Sequence, residues 1–265
     1  MQVQTRQIQQ TVILAKATQQ LRQVACLQPT LMRIRQGEKH IWLNEKTQIA
    51  RRDDLIIAPA GMQLTLTNVP DAKGYACEVL LFDPQLIEHF RTSYPAAVAA
   101  ALKTEARLCE KSTPVIAKLW DEVFAATASH EPAELLHHRA EGLLLAMTMA
   151  GLGAGLLLNR SDALAARVQQ LIMLNAAKEW TVDAMAEQLH LGASTLRRQL
   201  DKEGKSFRAL LEQVRLNIAL GMIQTTKQPI GAIAQQCGYA SASRFSARFA
   251  QQFGTKPMQL RATVM

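Results

Sequence analysis

Cysteine is scarce in this 265-residue chain, with four residues (Cys26, Cys77, Cys109 and Cys237) and no C-x-x-C pair. Spacing this wide excludes a thiolate zinc site, argues against a disulfide framework, and points to a reducing compartment. The thiols read as small buried hydrophobes, with a redox sensor built from Cys26, Cys77 and Cys109 as the alternative. Aromatic residues make up only 5%, which disfavours single-strand binding by base stacking. Long apolar runs are nearly missing too. The one that needs weighing is Gly142–Leu158, which carries no charge but is interrupted by Gly151, Gly153 and Gly155. A spanning helix needs ~20 apolar residues, so the run reads as a buried or dimer-forming helix rather than a membrane tether. The start of the chain is Gln-rich without an apolar block, so no secretory signal is expected.

Catalytic signatures are also lacking. There is no G-x-S-x-G, no P-loop and no dinucleotide fingerprint. The strand-like region offers His40 with Glu38 and Glu45, while His89, His130, His137, His138 and His190 fall in helices or turns. That is too few ligands for a cupin-type metalloenzyme, so neither enzyme activity, metal nor cofactor is expected. His137-His138 reads as an ordinary polar helix face, with a pH-responsive or ligand pair as the alternative.

What the chain does have is an excess of positive charge, +8 overall, and it is unevenly placed. Residues 1–159 hold 16 basic and 15 acidic side chains; residues 160–265 hold 14 and 7. A near-neutral domain followed by a basic one is the reading, with the joint at Asn159–Asp162 and Ser161 or Asp162 capping the next helix. Periodicity divides the first part again. Short apolar runs broken by turns (LMRI, IWL, DLIIAP, LTLTNVP, CEVLLF) predict strands at about 20–83, in an antiparallel sheet or small barrel. Helical spacing punctuated by prolines predicts helices at about 85–158. Residues 1–30 give no clear pattern.

The basic part contains an internal repeat. Thr181–Gly204 (TVDAMAEQLHLGASTLRRQLDKEG) and Pro229–Gly254 (PIGAIAQQCGYASASRFSARFAQQFG) each read as short helix, tight turn, second helix. Ala186 matches Ala234, Leu189 matches Cys237 and Leu191 matches Tyr239. After a one-residue offset, Leu196 matches Phe245 and Leu200 matches Phe249. Ser241 is placed to cap, and Pro229 sits at a first turn. Two helix-turn-helix units are therefore expected at about 181–202 and 229–253, each with a second helix shaped for the B-DNA major groove. Between them, Phe207, Leu210, Leu211, Val214, Ile218, Met222 and Ile223 form a helical stripe. A 20-residue helix spans about 30 Å, close to the ~34 Å between major-groove segments on one side of the duplex.

These stretches resemble the DNA-binding domain of AraC/XylS transcription regulators over the last ~100 residues. The motif is I-x-x-I-A-x-x-x-G-Y, then F-x-x-x-F-x-x-x-F-G, then Pro257 and Arg261. The resemblance implies a seven-helix domain at 160–265 that binds double-stranded promoter DNA. It also implies an activator acting with RNA polymerase, in the cytoplasm on the nucleoid. Base-reading positions carry over to Ser194, Arg197 and Arg198 on the first recognition helix, and to Ser243 and Arg244, beside Ala242 and Ala247, on the second. Ala247 and Ala250 stand where the family more often has Arg and Lys, which shifts the expected base reading toward the first unit. Thr181, Lys205, Ser206, Arg208, Ser241, Arg248, Thr255 and Lys256 are expected at phosphates, and Arg215 is expected to be structural. Residues 1–159 resemble the shortened cupin-like sensor and dimerisation domains of the same family, through Gly37, Asp54–Gly61, Asn68-x-Pro70 and Leu80–Asp83. That implies an α+β chain, a homodimer with contacts in 95–158, and a small-molecule or protein effector. Control by a partner protein without any ligand is the alternative.

Overall fold

The computed structural model describes residues 8–43, 46–104, 107–129, 131–157 and 163–264. Two antiparallel sheets come first. Strands β1 (Ile8–Ala15), β3 (Thr30–Gln36), β6 (Asp54–Ala58), β8 (Tyr75–Phe82) and β9 (Cys109–Lys111) form one, in the order β1-β8-β3-β6-β9. Strands β2 (Gln19–Ala25), β4 (Glu38–Leu43), β5 (Lys46–Ala50) and β7 (Gln63–Val69) form the other, in the order β2-β7-β4-β5.

The five-stranded sheet is a middle layer, and strand alternation explains why. In β6, Ile56 and Ala58 face the four-stranded sheet, joining Ile41, Leu64 and Leu66 in one core. Leu55 and Ile57 face the opposite way, against helices. Both faces being apolar, β6 is buried along its whole length. The helices on that outer face are α1 (Pro84–Ser93), α2 (Pro95–Ala101), α3 (Pro114–Ala128), α4 (Ala133–Met149) and α5 (Ala154–Leu157). Trp120, Phe90, Leu143 and Phe82 centre this second core.

Several expectations are corrected. The small barrel is an open two-sheet sandwich, because β1 and β9 edge one sheet, β2 and β5 edge the other, and no strand pairing among the described residues closes the two. A strand already occupies Ile8–Ala15, ahead of the expected start near residue 20, and β9 lies inside the stretch read as helical. The apolar run is not one helix. Gly151 (φ +74°) and Gly153 (φ +88°) turn the chain between α4 and α5, so only Gly155 serves close packing, against Pro59 and Ile57. Leu143, Leu144, Met147, Leu156 and Leu157 are buried; Leu158 lies outside the described residues. No described helix is long and apolar enough to cross a membrane.

Seven helices follow among the described residues: α6 (Leu164–Leu174), α7 (Val182–Gln188), α8 (Ala193–Lys202), α9 (Phe207–Thr225), α10 (Ile230–Gln236), α11 (Ala242–Phe253) and α12 (Pro257–Thr263). The cap expected from Ser161 or Asp162 falls outside the described residues. In the structure, the Glu203 carboxylate accepts from the Leu164 and Ala165 amides at 2.8 and 3.0 Å, meeting the free N–H groups at the start of α6.

Candidate nucleic-acid interface

The repeat holds down to its hydrogen bonds. After α7, His190 takes a left-handed conformation (φ +55°) and the Leu191 amide donates to the Ala186 carbonyl at 2.8 Å. After α10, Gly238 does the same (φ +77°), and Tyr239 donates to Ala234 at 2.9 Å. Each turn then delivers a second helix with an apolar inner stripe. In α8 the stripe is Leu196 and Leu200; in α11 it is Phe245, Phe249 and Phe253, whose rings contact one another in series, tilted between the first two and edge-on between the last two. Spacing of four keeps these residues on one face and turns the intervening ones outward.

The outward residues of α8 include Ser194, Arg197 and Arg198, all exposed. Those of α11 include Ser243, Arg244 and Ala247, also exposed. Arg197, Arg198, Lys202, Lys205, Arg208 and Arg244 make no ion pair or hydrogen bond through their side chains among the described residues. The contrast with the N-terminal elements is clear: Arg33, Arg35, Arg51 and Arg139 are each held by a carboxylate. Exposed, unpaired cations are what a phosphate backbone can use without first breaking a protein contact.

Not every expected phosphate contact has this freedom. Arg248 is paired with Glu212 of α9 at 3.2 Å and also donates to Gln251. Lys205 lines a cavity between the two parts of the chain. Thr181, Ser206 and Ser241 are the N-caps of α7, α9 and α11, each accepting from the amide three residues on, at Ala184, Ala209 and Arg244. Their helix N-termini remain positively polarised. Lys256 caps α12, its amide donating to Gln259 Oε1 at 3.1 Å, and Thr255 is half-buried beside it.

Helix α9 carries both units. Its first half (Phe207, Leu210, Val214) packs with α6–α8, and its second half (Leu216, Ala219, Leu220, Ile223) packs with α10–α12. At 19 residues it is about 28 Å long. Arg215 is structural, donating to the carbonyls of Ala176 and Lys178 at 2.9 and 2.8 Å. Arg261 closes the far end of α9, donating to Ile223 and Gln228 carbonyls.

A helix-turn-helix domain model matches residues 185–263. The urease operon transcriptional activator of Escherichia coli is 35% identical over 94 residues, 36% of this chain and 32% of that protein. The transcriptional activator FapR of Escherichia coli is 31% identical over 91 residues, 34% of this chain and 35% of that protein. The last third of the chain is an AraC-type helix-turn-helix domain.

The chain spans about a third of the length of these relatives, and the matched part is this AraC-type domain. The whole chain has the fold of ToxT from Vibrio cholerae, with a TM-score of 0.70 over 98% of this chain and 99% of that one at 14% identity. A second ToxT structure, bound to an unsaturated fatty acid, matches with a TM-score of 0.70 over 100% and 98% of the two chains at 13% identity.

The AraC-type domain is fused to the sandwich rather than tethered to it. Gln224 of α9 donates to Gln19 Oε1 at 3.0 Å, Gln19 donates to Thr263 at 2.9 Å, and the Ala25 amide donates to Asn217 at 2.8 Å. Gln19 Oε1 also accepts from Asn68, whose carbonyl accepts from the buried Lys39 ammonium at 2.6 Å. A continuous polar chain thus runs from inside the sandwich to α9 and α12. Beside it, a cavity of about 490 Å³ lies between the sandwich, α1 and α6. Leu27, Pro29, Ile87, Leu156 and Leu210 supply apolar lining; Glu88, Arg91, Glu203 and Lys205 supply charge. Neither feature was visible in sequence, since the partners lie up to 244 residues apart.

The thiols settle as hydrophobes. Cys26, Cys77 and Cys237 are buried and Cys109 is partly so. Burial pushes Cys26 up to about 12, Cys109 and Cys237 to about 11, and Cys77 upward. Thiols held protonated in this way are poor nucleophiles.

Proposed function

We propose that this chain is a sequence-specific regulator of transcription that binds double-stranded promoter DNA as an activator, and is not an enzyme. The observation that carries the reading is the pair of helix-turn-helix units on one helix of about 28 Å, with unpaired cations on their outer faces. Arg197 and Arg198, with Ser194, read bases from α8, guanine being the preferred target of Arg. Ser243 and Arg244 read from α11, whose outer face is otherwise small and uncharged at Ala247. Thr181, Ser206, Arg208, Ser241, Thr255 and Lys256 hold phosphates; Lys205 and Arg248 join them only after leaving the cavity and Glu212. The chain divides at 159/160 into a sensor and dimerisation domain and the DNA-binding domain. It works in the cytoplasm on the nucleoid, as a homodimer that engages RNA polymerase. Exposed Val115, Leu135 and Met149 on α3 and α4 support a dimer through that layer.

The cavity favours a small-molecule effector over control by a partner protein alone. Its apolar lining with Arg91 and Lys205 at hand suits an apolar carboxylate, the class to which the fatty acid bound by ToxT belongs. A genome-wide binding map of the full chain tests the main reading. Discrete sites sharing an asymmetric motif of two segments about one helical turn apart are expected; binding without a shared motif would refute it.

A further inference from the structure

Outside the DNA-binding face and the cavity, one group of side chains converges on a point. Helix α4 carries His137 and Glu141 four residues apart, so both stand on one face of the helix. Helix α1 crosses that face and brings His89 to them. His89 Nδ1 lies 2.7 Å from Glu141 Oε1, His137 Nε2 lies 3.3 Å from the same oxygen, and the two nitrogens are 3.1 Å apart. The Glu141 side chain is only 4% exposed and His137 15%, whereas His89 is open to solvent at 57%.

We infer that His89, His137 and Glu141 form a site for one first-row divalent transition metal ion of the Zn²⁺ class, clamping α1 to α4. Three facts support it. First, the three donor atoms lie 2.7, 3.1 and 3.3 Å apart, a triangle that need open only slightly to reach the ~3.3 Å between ligands of a tetrahedral ion with bonds of about 2.0 Å. Second, two imidazoles and one carboxylate are a borderline donor set that suits Zn²⁺, Co²⁺ or Ni²⁺ and not the oxygen-seeking Mg²⁺ or Ca²⁺. Third, the arrangement is awkward for protons alone. Two ring nitrogens are aimed at one carboxylate oxygen and at each other, and if both carry a proton their N–H groups oppose at 3.1 Å. A cation satisfies all three donors at once, with His89's exposed side leaving the fourth position to water.

The consequence is regulatory rather than catalytic. Helix α1 also lines the cavity, through Pro84, Ile87, Glu88 and Arg91. An ion that fixes α1 on α4 therefore fixes one wall of that cavity. The metal site itself stands whether or not the chain binds DNA.

The test is a titration of tag-free, full-length protein with Co²⁺, read by the visible absorption of the bound ion, together with thermal unfolding with and without Zn²⁺. One equivalent is expected to bind, and Zn²⁺ at a hundred times its Kd should shift the folding equilibrium about 100-fold toward the native state. His89→Ala, at the exposed corner, should keep the fold and weaken binding by at least the ~10–100-fold that loss of an outer partner costs at metal sites. Glu141→Gln keeps the side-chain shape and should also lose the ion, while His138→Ala should leave affinity unchanged. Absence of saturable one-to-one binding, or equal affinity in the native protein and His89→Ala, overturns the assignment.

Discussion

At Gly238 the chain turns with φ +77°, and a Cβ built there would stand 2.5 Å from the Arg215 guanidinium and 2.8 Å from the Ala176 carbonyl. Gly254 has nearly the same φ, +76°, but its Cβ would meet only the flexible Arg22 side chain, at 3.3 Å. Backbone strain alone costs a non-glycine residue about 1–2 kcal/mol in this region. Gly254→Ala should therefore lose about that much in denaturant unfolding. Gly238→Ala should lose more, about 3–4 kcal/mol, because it also displaces the guanidinium that ties α9 to the loop after α6. Equal losses would show that the contact with Arg215 is of no account. Lys39 is a second residue whose surroundings dictate behaviour. It is 1% exposed, and burial lowers its ammonium below the ordinary 10.5, only partly offset by the neighbouring Cys77, Cys26 and Cys109 thiols. Between that lowered value and 10.5 the unfolded chain binds the proton and the folded chain does not. Stability contributed at this site therefore rises with pH across that window and is flat below it. In paired melts from about pH 7 to 10, native protein should gain on Lys39→Met as pH rises, the subtraction removing the other titrating groups. A difference that falls with pH would mean that Lys39 keeps its charge more easily inside than out.

Among the elements, the two recognition helices are not equivalent. Helix α8 offers Arg197 and Arg198 as adjacent unpaired cations, while α11 offers Arg244 alone, because Arg248 is held by Glu212. A bidentate Arg–guanine contact is worth about 1–3 kcal/mol of discrimination. Arg198→Ala should thus weaken specific binding by about 1–3 kcal/mol and non-specific binding less, with Arg244→Ala smaller on the specific term. Footprinting in which specific and non-specific affinity fall together would remove Arg198 from base reading. The same elements mark what sequence could reveal. Strands β3, β6 and β8 were legible because burial on both faces writes continuous apolar runs, and the helix-turn-helix units because a duplication repeats its own small and large residues. Strands β1 and β2 were not. They are Gln-rich edge strands, with burial in β2 limited to Gln19, Leu21 and Ala25, and their remaining partners arrive from α9 and α11 some 200 residues later. His137 was read with His138 as a polar helix face, whereas Glu141 was not singled out, and His89 reaches Glu141 across 52 residues and only through the crossing of α1 and α4. Local spacing records helix faces; it does not record which helices cross.

For the molecule as a whole, the boundaries of the hydrophobic cores do not follow the boundary in charge. One core joins both sheets of the sandwich to the second half of α9 and to α10–α12, and includes Phe245, Phe249 and Phe253. A separate core holds α6–α8 with the first half of α9. The polar chain from Lys39 through Asn68 and Gln19 to Gln224 and Thr263 reinforces the first of these unions, and its buried groups would be left unpaired if the interface opened. The second helix-turn-helix unit is therefore part of the sandwich in its energetics, and the first unit is the separable piece. Cooperative unfolding units follow such contiguous cores. Native-state hydrogen exchange should accordingly find the amides of α10–α12 opening together with those of β1 and β2. Those of α6–α8 should open at lower free energy, as a block of their own. If all seven helices instead exchange as one unit distinct from the strands, the interface contributes little and the charge boundary is also the folding boundary. If the split falls within α9, the helix that spaces the two reading heads is also the hinge between a fixed head and a movable one, and anything that tightens the cavity between α1 and α6 restrains the movable head directly.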